Sequence, residues 1–150
     1  MAIAIGCDEA GFDMKEDLKR MLRDAGQEVE DFGTFDAQPV LYPDIAFAAA
    51  NSIADGRNHR GVLICGTGIG MAITANKVHG IRAAQCHDTY SAERARKSNN
   101  AQIITLGARV IGSELARSIL RAWLDSEFEA ERSGPKVSRM RELEEAGRKL

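Results

Sequence analysis

No apolar run in the sequence reaches membrane-spanning length, which argues against an integral helical membrane protein. Nothing basic precedes Met1-Ala-Ile-Ala-Ile, so a secretory signal is not expected. Cysteine is scarce: Cys7, Cys65 and Cys86 are an odd number without CxxC spacing. That argues against a disulfide framework or a zinc ribbon and points to a reducing cytoplasm. Charge of one sign is also lacking. The 20 Lys+Arg and 22 Asp+Glu leave a net charge of -2, where a general nucleic-acid binder would be clearly basic. The three histidines, His59, His79 and His87, are scattered and read as surface or loop residues. No metal-ligand spacing is visible, and neither a metal nor a cofactor is expected. There is no internal repeat.

What is present is an ordinary globular composition, 44% hydrophobic and 28% charged over 150 residues. That length suits a single domain spanning 1–150. Short apolar runs alternate with amphipathic stretches. Strands are expected at 2–6, 28–32, 61–65, 81–86 and 103–106. Helices are expected at 12–25 with Gly26 as the stop, from an Asp44 cap to about Gly56, and at 71–78, 89–97 and 112–124. Pro135 is read as the first residue of a last, charged helix ending near Gly147. Strand–helix alternation implies an α/β fold: a five-stranded, mainly parallel sheet with helices on both faces. Such folds bind ligands at the carboxyl ends of their strands, which singles out Gly6–Gly11, Cys65–Gly70 and Cys86–Tyr90.

The most informative stretch is Cys65-Gly66-Thr67-Gly68-Ile69-Gly70, between an apolar strand and a helix. Its glycines let backbone N–H groups turn toward a ligand, and the helix start adds partial positive charge. It is not a dinucleotide fingerprint, because Met71 stands where the third glycine should be. It lacks the Gly-Lys-Ser/Thr of a P-loop and the arginine of a cysteine phosphatase loop. Two readings remain. Cys65 is either a small buried apolar residue in a tight turn, or a thiolate favoured by its place at a helix start. Such a thiolate removes a carbon-bound proton while neighbouring N–H donors hold the developing enediolate oxygen, and Thr67 relays a proton to that oxygen. In the first loop, Asp8 and Glu9 either do acid–base or hydroxyl-binding work, or cap a helix and face solvent. Ser98-Asn99-Asn100 reads as a polar turn or as a set of hydroxyl-binding groups.

On these residues the chain resembles the type B ribose-5-phosphate isomerases, the family that includes the galactose-6-phosphate isomerase subunits. The matching pieces are Gly6-Cys7-Asp8 with Ala10-Gly11-Phe12, Tyr42-Pro43, and Ile64 through Gly70. Further on come Ala75-Asn76-Lys77, Gly80-Ile81-Arg82-Ala83, Tyr90-Ser91-Ala92, Asn99 and Gly107 through Gly112. The resemblance implies a Rossmann-like three-layer α/β/α fold and reversible aldose–ketose isomerisation of a phosphorylated sugar through a cis-enediolate. It implies a homodimer, or a tetramer of such dimers, with the site shared between subunits and the C-terminal helix packing on the partner. It makes Cys65 the base and assigns oxygen protons to Thr67. Gly66, Gly68, Ile69 and Gly70 supply the anion hole. Asp8, Tyr42 and Asn99 hold hydroxyls, and Arg109 and Arg132 serve the phosphate.

Three positions depart from the family pattern. Glu9 and Ser98 stand where members acting on ribose 5-phosphate commonly have histidine, and Lys136 replaces a second phosphate-side arginine. The histidine matching Ser98 opens the furanose ring. A tetrose 4-phosphate has its O4 esterified, cannot form that ring and needs no opening. Two substrates therefore stand side by side, ribose 5-phosphate as the family default and erythrulose 4-phosphate as the alternative. His87 to Arg94 with Ser98 to Gln102 also looks like the tetrulose branch. A rival class is a sugar-phosphate binding protein without turnover, and a weaker one is a purely structural homo-oligomer.

Overall fold

In the computed structural model, which describes residues Met1–Arg148, five parallel strands form one sheet in the order β2-β1-β3-β5-β4. The strands are β1 (Ala2–Cys7), β2 (Val29–Asp31), β3 (Asn58–Cys65), β4 (Ala83–Gln85) and β5 (Ile103–Gly107). The helices are α1 (Phe12–Asp24), α2 (Tyr42–Ala54), α3 (Ile69–Ala75), α4 (Thr89–Lys97), α5 (Ser113–Leu124) and α6 (Ala130–Arg148). A single 3-10 turn, Glu9–Gly11, precedes α1. The sheet is wholly parallel, as the α/β reading requires.

Side-chain alternation sorts each strand between two cores. Ile3, Ile5 and Cys7 of β1, Val62 and Ile64 of β3, and Ile104 and Leu106 of β5 face α1, α4 and α5. Ala4, Leu63, Cys65 and Ile103 face α2 and α3. Cys65 is thereby aimed at the α2–α3 layer while Cys7 points to the other side. The chain leaves β1 for its neighbour β2 on one side, and leaves β3 toward β4 on the other. Their loops diverge and open a crevice at the carboxyl edge between β1 and β3.

Several element ends differ from the expectation. α2 starts at Tyr42 with Leu41 as N-cap, and Asp44 is already in the first turn, its N–H on the Leu41 carbonyl at 3.1 Å. Pro43 sets the helical φ at the entry, which makes a side-chain cap unnecessary. α3 begins at Ile69, two residues early, because Gly68 takes the left-handed entry conformation that a side chain would resist. β4 is only three residues long, paired on one side to β5 alone. α6 begins at Ala130, and Pro135 lies inside it rather than at its first position. Arg132 and Ser133 both donate to the Glu129 carbonyl, so the first turn closes before the proline is reached. Gly26 ends α1 at φ +78, and α4 has the predicted bounds.

Candidate functional site

The carboxyl edge gathers the first-loop, Cys65-loop and Arg109 residues. At the end of β1, Asp8 Oδ1 accepts the Gly11 N–H at 3.1 Å and holds the 3-10 turn. Its carboxyl is raised above the ordinary aspartate range by burial, with the Glu9 charge adding to this, while the Gly11 N–H and the Arg109 charge oppose it. Glu9 Oε2 accepts the Val40 N–H at 3.2 Å. The Glu9 carboxylate thus ties the chain leading into α2, and through it Tyr42. A Cβ added at Gly70 would overlap the Tyr42 ring, so the phenol lies directly on the Cys65 loop. Arg109 is exposed and lies along Gly66, where an added Cβ would meet its Cδ and Nη1 at 3.4 Å.

Within the loop the backbone polarity is sorted by direction. The Cys65 carbonyl accepts from Ala108 N–H at 2.9 Å and the Gly66 carbonyl from Arg109 N–H at 3.0 Å. The Thr67 carbonyl accepts from Gln85 Nε2 at 2.6 Å and the Gly68 carbonyl from Thr105 Oγ1 at 2.8 Å. Four successive carbonyls are therefore anchored on β4, β5 and the turn after β5. The opposite ends of those peptide units face the crevice. Gly68 N–H donates to Cys65 Sγ at 3.1 Å and Ile69 N–H to Thr67 Oγ1 at 3.3 Å. Thr67 and Gly70 N–H have no acceptor among the described residues. Such a set of N–H groups binds an oxyanion.

The other two cysteines differ. Burial pushes the Cys7 and Cys86 thiols up to about 12, so both stay protonated at neutral pH. Cys65 alone sits in the donor-lined loop, and it is 5% exposed.

Four expected site residues lie elsewhere in the single chain. Ser98 ends α4, and the Asn99 carbonyl accepts from Arg82 Nε just before β4, at the amino edge of the sheet. Four residue steps along β3 lead from Gly61, whose N–H meets the Gln102 carbonyl, to Cys65, about 13 Å at 3.3 Å per residue. Arg132 and Lys136 lie on the exposed side of α6, whose start is pinned by Glu129 N–H on the Lys97 carbonyl at that same edge. One chain therefore does not bring Ser98, Asn99, Arg132 and Lys136 to Cys65.

At the carboxyl edge Gln85 has no expected role, and His87, inside the singled-out Cys86–Tyr90 segment, is expected to be a surface or loop histidine. Gln85 holds the loop, and His87 Nε2 accepts the Gly107 N–H at 2.9 Å, beside the Thr67 backbone. The strand end was the signal for both, but β4 stops at Gln85 after three residues, one short of the segment singled out.

A profile of the ribose/galactose isomerase family matches residues 3–140. The chain is 57% identical over 148 residues to the "Ribose-5-P isomerase B" of Listeria innocua, covering 99% of this chain and all of the relative. It is 57% identical over 142 residues to the "D-erythrulose-4-phosphate isomerase" of Pectobacterium atrosepticum, covering 93% of each. The solved ribose-5-phosphate isomerase B of Clostridium thermocellum superposes with a TM-score of 0.95 at 42% identity, over 97% of this chain and 99% of that one. Sequence and overall fold agree over nearly the whole length, and the chain belongs to the ribose/galactose isomerase family.

Proposed function

We propose that the chain interconverts an aldose phosphate and a ketose phosphate through a cis-enediolate, with ribose 5-phosphate and ribulose 5-phosphate as the first pair. The observation that carries this is the Cys65 sulfur inside a loop whose N–H groups face the crevice while its carbonyls are anchored away. The Cys65 thiolate removes the proton from C2 of the aldose and returns it to C1. The loop amides of Gly66, Gly68, Ile69 and Gly70 hold the negative charge that builds on oxygen. Thr67 passes a proton between O1 and O2. Asp8 and Tyr42 receive hydroxyls, and Arg109 lies on the phosphate side. Glu9 keeps Tyr42 in place through Val40.

A second copy of the chain supplies Ser98, Asn99, Arg132 and Lys136, which makes the working unit a homodimer or a tetramer of dimers. Cys7, Cys65 and Cys86 are all free thiols, which suits a reducing compartment such as the cytoplasm.

A tetrose phosphate is the second reading, on two observations. Glu9 is committed to a backbone N–H and Ser98 replaces a ring-opening group, so no histidine stands at either position. A relative at 57% identity carries the erythrulose 4-phosphate name. Coupled assays with ribose 5-phosphate and with erythrose 4-phosphate decide. Robust pentose turnover with little on the tetrose sinks the second reading, and the reverse sinks the first. A protein that turns over neither, and exchanges no substrate carbon-bound proton with solvent, is a binding protein.

A further inference from the structure

β4 is short and at the edge, yet its last residue reaches the heart of the loop. Gln85 and Thr105 are register partners on neighbouring strands, so their side chains emerge on the same face. They take consecutive carbonyls: Gln85 Nε2 donates to Thr67 O at 2.6 Å, and Thr105 Oγ1 donates to Gly68 O at 2.8 Å. The carbonyl of Thr67 and the N–H of Gly68 are the two ends of one planar peptide unit. That N–H donates to Cys65 Sγ at 3.1 Å. One line of hydrogen bonds thus runs from the Gln85 amide, through the peptide plane, to the sulfur.

The chain by itself does not hold that plane. Gly68 sits at φ +77 and, lacking a Cβ, tolerates either sign of φ, so its own backbone preference does not fix the Thr67–Gly68 peptide. Rotation would turn a carbonyl oxygen toward the sulfur in place of an N–H donor. The Gln85 bond selects the orientation with the N–H inward, and a bonded carbonyl makes its own N–H a stronger donor. Behind it, His87 Nε2 takes the Gly107 N–H at 2.9 Å, and the Thr67 backbone lies against Gly107, where an added Cβ would come within 2.8 Å of it.

We propose that Gln85 is a positioning residue for Cys65: its side-chain amide fixes the Thr67–Gly68 peptide so that the Gly68 N–H points at the sulfur. This deepens the isomerase reading and rests on Cys65 being its base. Gln85 is exposed, so its replacement leaves the core intact.

The test uses Gln85→Met, which keeps length but loses the donor, and Gln85→Lys, which restores a donor. Two readouts are taken: kcat and KM for whichever sugar phosphate the native protein turns over, and the rate of Cys65 alkylation by iodoacetamide near neutral pH, followed by mass spectrometry. Gln85→Met is expected to lower kcat about 10-fold with KM within about 2-fold, because the loss falls on charge stabilisation rather than on ground-state binding. Alkylation of Cys65 is expected to slow by a similar factor, and Gln85→Lys to recover most of both. The proposal is overturned if Gln85→Met keeps native kcat and alkylation, or if Gln85→Lys falls as far as Gln85→Met. Alkylation needs no sugar. A native protein without turnover would therefore count against the isomerase reading, and alkylation would still decide the role of Gln85.

Discussion

At the residue scale, three cysteines with the same side chain divide between two environments. Cys7 and Cys86 are shut into the core layer opposite α2 and α3, where burial raises them to about 12. Cys65 faces the crevice and accepts an N–H. Cys65→Ala is expected to abolish isomerisation, by about 10³-fold or more, while the melting temperature and subunit assembly stay native. Near-native activity in that variant would make Cys65 a structural residue. Asp8 illustrates a second residue-scale effect. Its carboxyl is raised chiefly by burial, so its ionised form opposes folding above the ordinary aspartate range of about 3.9. Asp8→Asn keeps the Oδ1 acceptor for Gly11 N–H and removes the charge. It is expected to melt higher near neutral pH by thermal denaturation, the advantage vanishing at low pH, and to show a raised KM in the coupled assay. A lower melting temperature at neutral pH would contradict this.

At the element scale, the segment joining β2 to α2 is anchored from α1. Lys15, with 0% exposure, donates to Asp31 Oδ1 at 2.8 Å, Asp31 Oδ2 at 2.9 Å and the Thr34 carbonyl at 2.6 Å. Lys19 adds a bond to Asp31 Oδ2 at 2.7 Å, and Gly33 N–H donates to Asp31 Oδ1 at 2.8 Å. Burial alone would raise the Asp31 carboxyl, but the bonds from Lys15, Lys19 and Gly33 outweigh it and the net shift is downward. A carboxyl lowered in the folded state adds stability that is full above the unfolded value and is lost as pH falls through the folded one. Lys15→Met leaves that charge short of a partner and is expected to cost about 3 kcal/mol near neutral pH in denaturant unfolding. The gap between native and variant should narrow as pH drops below about 4. A gap that is independent of pH would assign Lys15 to packing alone.

At the scale of the whole molecule, the residues named for the chemistry divide between the two edges of one sheet. Cys65, Thr67, Asp8, Tyr42 and Arg109 hold the carboxyl edge; Ser98, Asn99, Arg132 and Lys136 hold the amino edge. A shared site in a homodimer makes a quantitative prediction. Cys65→Ala and Arg132→Ala are each expected to be nearly inactive alone. Unfolded together and refolded as a mixture, half the dimers combine one of each and carry one intact site of two. The mixture should recover about a quarter of native activity. No recovery, with mixed dimers demonstrated by mass spectrometry, would place the whole site within one chain.

The alternation of apolar runs determined the number of strands, their order along the chain and the α/β class, because a strand covered on both faces must be apolar throughout. The glycines and Cys65 determined the loop, since Gly68 and Gly70 stand where a Cβ would meet the Leu106 backbone and the Tyr42 ring. Element ends were legible only in part. Asp44 and Pro135 are good cap and N1 residue types, but backbone bonds at Leu41 and Glu129 had already started those helices. What only the tertiary structure decided is contact between elements distant in sequence. Glu9 meets Val40, Gln85 meets Thr67, and His87 meets Gly107. These bonds depend on sheet order and register, which a local pattern does not encode. The physical reason is range: periodicity and caps act over a few residues, whereas the orientation of the peptide beside Cys65 is set by a side chain 18 residues further along the chain.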